Sequence, residues 1–558
     1  MTDFDAVIVG SGMTGGWAAK ELCEAGLKTL LIERGRSITP GKDYPTEFTP
    51  PWELELRGLL TREERERFGR KAGDGLVGDL INGFTSHFFV PTEEDPYTTP
   101  EDMPFEWTRG YQLGGRSLTW ARSVPRWSED DFRHGGNGMA RWPISYADVS
   151  PFYSLVEDFI GVSGASDNVP TMPDGKFDPP MPFTPIEEAL RRRIEQAFPD
   201  RRVIAGRTAN LTRERPGRGL CVYRDQCARG CSHGAYFSSI SSTLPTATAT
   251  GNLTILTDTE VEKLLISANG QKIDAVAARH IKSGERSRLT GRLIVLCAST
   301  LNSLKVLLRS GEDVDKARLG PPDVLGRYIM DHPKTTAAAA LIPGFSELFV
   351  KGRRPTSLLI PRYRPLTVDE GPAGSYFHQL IVFRLGWTRA AFQPGVGADL
   401  TRSLSRPGDW VAALPTFHEC FPYKDNQVSL DYRASNADGS PRLKIEVSYR
   451  KNETDLMLES RDQAVSMLRA AGGVVIASSA ASAPPGSAVH EMGGARMGND
   501  PATSVLNAWN QLHDFPNVLV TDGACMVTSA SQNPSLTYMA LTVRACRHAA
   551  QQMREGLL

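Results

Sequence analysis

Two periods of hydrophobic patterning divide the chain. Residues 5–9 (Asp-Ala-Val-Ile-Val) form a short apolar run stopped by Gly10, the pattern of a buried strand. Helical spacing follows over 17–26, and a second apolar run at 29–32 ends in Glu33-Arg34-Gly35. Strand-then-helix returns at 292–298 and 299–308, with Ser299 or Thr300 as the expected N-cap. Just before it, 253–256 and 260–266 read as a strand pair. Segments 426–432 and 442–449 alternate with period two, which predicts an antiparallel sheet with one covered face. Near the end a strand turns through Asp522-Gly523 into an irregular loop, then Asn533-Pro534 and a helix to about 552. Residues 46–104 break both periods, being charged and proline-rich with helical character over 54–70.

The first strand–helix joint carries chemistry. Gly10-Ser11-Gly12-Met-Thr-Gly15 fills it, and Glu33 closes the next strand twenty-three residues after Gly10. The first glycine permits the tight turn, the second lets backbone approach a pyrophosphate, and the third lets helix and strand pack closely. The anion then sits at a helix N-terminus among free N–H groups. Glu33 suits a ribose hydroxyl pair and disfavours a 2′-phosphate. This is a dinucleotide fingerprint, and alone it does not separate NAD from FAD. Adjacent Gly114 and Gly115 let backbone lie against a planar ligand. Val261 offers a strand edge to an adenine, and the helix that starts after Pro534 presents a positive dipole end.

Composition narrows the class. A chain of 558 residues suits two or three packed units. Sixty-three basic against sixty-four acidic side chains argue against nucleic-acid partners and polybasic membrane binding. No apolar run reaches the roughly 18–20 residues that cross a bilayer. The opening Met-Thr-Asp-Phe-Asp leads directly into a strand, which predicts no secretory signal and a cytoplasmic location. Eight cysteines over this length imply no disulfide framework. Three of them crowd at Cys221, Cys227 and Cys231 on what reads as a compact loop. Three soft thiolates there suit an iron–sulfur cluster, whereas zinc would want a fourth ligand. Three free or disulfide-linked cysteines are the other reading.

Taken in order, the N-terminal fingerprint, Gly114-Gly-Arg-Ser117, the segment 489–498, Val520-Thr-Asp-Gly523 and Asn533-Pro-Ser-Leu-Thr537 resemble the glucose-methanol-choline (GMC) oxidoreductases from end to end. The resemblance implies an α/β fold in which a Rossmann-like FAD-binding domain is interleaved with an α+β substrate domain built on an antiparallel sheet. It places the FAD domain at 1–45, 105–145, 225–332 and 485–558. The substrate domain takes 150–220 and 333–484, the cysteine loop 221–231, and a lid or partner-facing insertion 46–104. Cofactor contacts are implied for Gly10, Ser11, Gly12, Gly15, Glu33, Arg34, Gly114, Gly115, Ser117, Thr119 and Val261. At the C-terminal end they are implied for Asp522 and Gly523, near ribityl and phosphate, and for Asn533, Pro534 and Thr537, at the pyrimidine edge. Thr119 stands where relatives with covalent flavin carry histidine, so the FAD is expected to be non-covalent.

Oxidising an alcohol needs a group to take the hydroxyl proton and a donor for the nascent alkoxide. Carried over from the family, these are His490 as base and Asn533 as donor. His332, in a family-like segment, is read as structural, and His87, His378 and His418 as non-catalytic. Similar bacterial sugar and glycoside dehydrogenases imply a sugar or glycoside substrate, with C3 oxidation as one form. They also imply a [3Fe-4S] cluster on the cysteine loop, a small helper subunit and a cytochrome-type acceptor. With a signal-bearing helper the location becomes periplasmic. Arg224 stands where such sequences carry a further cysteine. The alternatives are an oxygen-using oxidase, a dehydrogenase of a non-sugar alcohol, and a non-redox flavin lyase of the same fold.

Overall fold

The computed structural model describes residues 4–68, 80–133, 140–313, 315–350, 352–367, 371–386, 389 and 393–558. Three sheets organise them. The first joins β1 (Phe4–Val9), β2 (Thr29–Ile32), β3 (Leu253–Leu256), β4 (Thr259–Ile266), β5 (Ile273–His280) and β6 (Arg286–Leu296) in the order β3-β2-β1-β6-β5-β4. The second is antiparallel and built from β7 (Lys334–Leu341), β8 (Leu358–Ile360), β9 (Tyr376–Arg384) and β10 (Trp410–His418), with an edge strand from further along the chain. A two-stranded ribbon pairs β11 (Gln427–Ser435) with β12 (Pro441–Glu446). The edge strand is β13 (Val474–Ser478), which pairs with β7, and β14 (Val518–Val520) pairs with β6.

Strands β3, β2, β1, β6 and β14 run parallel, and β1, β2, β14 and the last four residues of β6 are covered and apolar nearly throughout. Val7 and Ile8 are fully buried, as are Ile294 and Val295 beside them. This explains why these strands read as continuous apolar runs. The helix Met13–Glu24 follows β1, and the helix Thr300–Ser310 follows β6, so both begin at the carboxyl edge of the sheet. Ligands bind at that edge in open α/β sheets.

Several sequence expectations need correction. β3 and β4 do not pair; they lie at opposite ends of the sheet, because β3 pairs with β2 and β4 with β5. The alternating segments near 430 and 445 do pair antiparallel, but as a two-stranded ribbon separate from the five-stranded sheet. Ser299 occupies the N-cap position at φ 74° but makes no capping bond. Of the helical character expected over 54–70, the described residues show a 3-10 turn at Glu55–Gly58 and an α-helix at Arg62–Arg67, where Thr61 and Glu64 form a capping box. Residues 69–79 of the 46–104 insertion lie outside the described residues.

Candidate active site

A cavity of about 720 Å³ opens where the carboxyl edge of the first sheet meets the second sheet. Helix N-termini leave N–H groups without intrahelical partners. Three helices start on this cavity, Met13–Glu24, Thr300–Ser310 and Ser535–Arg554, and none has a side-chain cap. Such uncapped starts are anion and dipole acceptor sites. The glycines at the first joint divide their work as expected. A Cβ on Gly15 would meet the Gly10 carbonyl at 1.9 Å, which is the close helix–strand contact, whereas a Cβ on Gly12 meets nothing within 4 Å. Gly12 therefore leaves backbone open to a ligand.

Beside it, Glu33 is buried and accepts hydrogen bonds from Ser11 N (3.1 Å) and Gly35 N (2.8 Å). Burial pushes its carboxyl pKa up against those bonds. Arg34 stacks 4.2 Å over Tyr111 and pairs with Asp95 at 3.2 Å and Glu260 at 3.4 Å. At the far end Asp522 holds Ser303 Oγ and Ala524 N, and burial raises its pKa to about 6. Tyr538 Oη is buried there without a partner.

Of the residues expected at the cofactor, Gly10, Ser11, Gly12, Glu33, Arg34, Gly115, Ser117, Thr119, Val261, Asp522, Gly523 and Asn533 line the cavity. Gly15, Gly114, Pro534 and Thr537 do not. Gly15 packs on Gly10, and Gly114 donates its N–H to Ser11 Oγ at 2.9 Å. Thr537 faces away, its hydroxyl 2.8 Å from that of Tyr153, because helical spacing turns it toward the core.

Two histidines meet at the other end of the cavity. His490 Nε2 lies 3.3 Å from Asn533 Nδ2, and His490 Nδ1 lies 2.9 Å from His332 Nδ1. His332 Nε2 faces two carbonyls, Ser529 O at 3.1 Å and Ala530 O at 3.2 Å, so it carries the proton. Burial holds the His332 pKa down to about 4, so the ring is neutral and its Nδ1 accepts. His490 Nδ1 must then donate, which leaves its Nε2 as the acceptor of the Asn533 Nδ2–H. Burial first, then His332, Lys334 and Arg116, keep the His490 pKa well below its ordinary value.

The backbone here is equally constrained. Val489 has φ 61°, rare for a β-branched residue and typical of functional sites. Asp331 accepts N–H bonds from Gly486, Ala488 and His490 at 2.8, 3.3 and 2.9 Å. Gln379 on β9 donates to Asn533 Oδ1 at 3.3 Å and so turns the Asn533 amide toward His490. Arg116 bonds Glu491 at 2.8 Å and Ser299 Oγ at 2.8 Å on the cavity wall. Sequence reasoning missed Asp331, Gln379 and this ion pair, and it gave His332 only a structural place. The adjacency of Asp331 to His332, and of Glu491 to His490, was the available signal. His378 and His418 are held in a separate buried network with Thr416 and Ser460, and neither they nor His87 line the cavity.

The cysteine loop differs from expectation. Cys221, Cys227 and Cys231 are free thiols, and among the described residues no three Cys, His, Asp or Glu side chains gather as a metal-binding group. The iron–sulfur expectation therefore has no support in the structure. The two arginines of the loop are committed to other partners. Arg224 pairs with Glu47 at 2.7 Å, and Arg229 stacks 3.5 Å over Phe84, so the insertion clamps the loop. Burial pushes the thiols of Cys221 and Cys231 up, which favours their protonated forms.

The cavity thus carries a dinucleotide fingerprint on one wall and a neutral imidazole with an amide donor at its other end. Comparison gives the family. Two models, each described as GMC oxidoreductase, match residues 197–334 and 422–542, and the chain belongs to that family, whose members typically bind FAD. It is similar to 2-methyl-1,2-propanediol dehydrogenase of Mycolicibacterium austroafricanum, at 27% identity over 97% of this chain and 94% of the relative. It is also similar to C-glycoside 3-oxidase of Arthrobacter globiformis, at 25% identity over 99% and 96%. The solved structure of pyridoxine 4-oxidase from Mesorbium loti shares the fold, with a TM-score of 0.60 and 17% identity over 98% of both chains. The protein is thus an oxidoreductase acting on CH–OH groups.

Proposed function

We propose that this protein binds FAD non-covalently and oxidises a secondary alcohol of a sugar or glycoside to the ketone, with the C3 hydroxyl of a glucoside as the first substrate to try. The observation that carries this reading is the relayed tautomer of His490, whose unprotonated Nε2 lies on the cavity and accepts from Asn533 Nδ2, where a substrate hydroxyl would bridge the two. The residues fit FAD through the open backbone at Gly12, the uncapped helix starts and the unpartnered Tyr538 hydroxyl. When bound, the flavin supplies the hydride acceptor. The chain does the rest: His490 Nε2 takes the hydroxyl proton, and Asn533 Nδ2 donates to the substrate oxygen as its charge grows. Asp331 and His332 hold the imidazole, and Arg116 adds positive charge on the same wall.

The test is anaerobic absorption spectroscopy of the FAD-bound protein. Methyl glucoside should bleach the flavin band, and product analysis should show a 3-ketone. A second reading, oxidation of a small non-sugar diol, is favoured by the likeness to 2-methyl-1,2-propanediol dehydrogenase. Bleaching by that diol but by no sugar would establish it in place of the first. Re-oxidation of the reduced protein by air separates oxidase from dehydrogenase, and we read dehydrogenase as the activity.

A further inference from the structure

A second cavity, of about 390 Å³, meets the first along Ala121–Arg122–Ser123, which line both. Gln379 lines this annex and bonds Asn533, so the annex begins one side chain from the reacting oxygen. Four guanidinium groups line it, those of Arg122, Arg353, Arg354 and Arg384, against two carboxylates, Asp225 and Glu187. Arg353 pairs with Asp225 at 2.9 Å and Arg354 with Glu187. Among the described residues, Arg122 and Arg384 have no carboxylate partner. Arg122 is only 8% exposed, adopts φ 64°, and spends its two terminal nitrogens on the carbonyls of Trp120 and Pro355 while Nε stays unpartnered. Arg384 reaches the carbonyls of Phe345 and Ser346, and its Nε and Nη1 are buried without partners. Its guanidinium lies 5.0 Å over the Trp410 ring, which with Phe383 supplies flat apolar wall.

Four guanidinium groups against two carboxylates leave the annex net positive, which favours an anion there. Flat aromatic surface beside them suits a planar ring. We propose that the annex is a specificity subsite for the aglycone of the substrate, and that the aglycone it selects is a planar ring bearing a carboxylate. The sugar then sits at His490 and Asn533 while the acid-bearing ring lies along Phe383 with its carboxylate toward the arginines. This rests on the sugar-oxidation reading above.

The experiment compares 4-carboxyphenyl β-D-glucoside with phenyl β-D-glucoside on the FAD-bound enzyme. The acidic glucoside should show a KM about tenfold lower, the scale of one charge-assisted contact. Arg384→Gln should abolish that preference, and Arg384→Lys should keep most of it, with flavin absorbance confirming that both variants fold. Equal KM values in the wild-type enzyme, or an unchanged preference in Arg384→Gln, would overturn the proposal. If no glucoside bleaches the flavin, the sugar reading fails, and the annex is judged by calorimetric titration with 4-hydroxybenzoate. Binding that Arg384→Gln removes would uphold an anion subsite, and no binding would overturn it.

Discussion

The seven-stranded sheet brings backbone to the cavity, whereas the five-stranded sheet and the loops beside it bring side chains. On the first, the glycine turn, the uncapped helix starts and the strand edge at Val261 line the cavity, with Glu33 and Arg34 beside them. On the second, Gln379 reaches Asn533 across 154 positions of sequence, and the histidine pair closes over 158. The contrast teaches that cofactor binding is specified locally by what glycine permits, while the reactive geometry is specified by long-range packing. Changes on the two sides should therefore fail in different ways.

The largest effect should come from His490→Ala, which removes the proton acceptor. Flavin reduction should slow by about a thousandfold while FAD stays bound, read by stopped-flow absorbance. Next come two changes on the backbone side. Gly15→Ala forces a Cβ to 1.9 Å from the Gly10 carbonyl and should cost about 1–3 kcal/mol of stability, seen as a lower Tm. Gly12→Ala has free space and should leave the Tm of the apoprotein unchanged while weakening FAD binding in fluorescence titration. If both variants lose stability alike, the division between the two sides breaks down.

The smaller effects sharpen the side-chain half. His332→Gln loses the ring that fixes the His490 tautomer and should slow flavin reduction about tenfold, on the scale of positioning contacts to a reacting group. Gln379→Ala frees the Asn533 amide and should slow it about threefold, roughly one ordinary hydrogen bond or less. The smallest expected effect is on pH dependence. Burial and neighbouring positive groups keep the His490 pKa well below its ordinary value, so its neutral fraction does not change near neutrality. Flavin reduction should stay level from pH 8 to pH 6, where a base titrating at the ordinary histidine value would lose about fourfold.

The same division explains what could be read in the sequence. Gly10, Gly12, Glu33 and the strands around them were legible because each requirement lies within a few residues: a turn, a close approach, a strand end. The parallel strands showed as apolar runs because both faces are covered. His490 and Asn533 were found through a family pattern, without their surroundings. His332 was underrated because its partner lies in another segment and its two carbonyl acceptors, Ser529 and Ala530, in a third. The antiparallel pairing of β11 and β12 was legible from their alternation, but not that the pair stands alone, because alternation marks a strand and not the extent of its sheet. Thr537 was placed at the cofactor by motif, yet its position on the helix decides that it faces Tyr153.

Asp331 and His332 are consecutive, and between them they hold both the backbone and the ring of His490. Anyone moving this chemistry to another scaffold would have to carry two separate pieces of chain in fixed register. A transplanted histidine without that dipeptide would keep its name but lose the direction of its lone pair. In inheritance as in engineering, the unit that must travel intact is the pairing of the two segments.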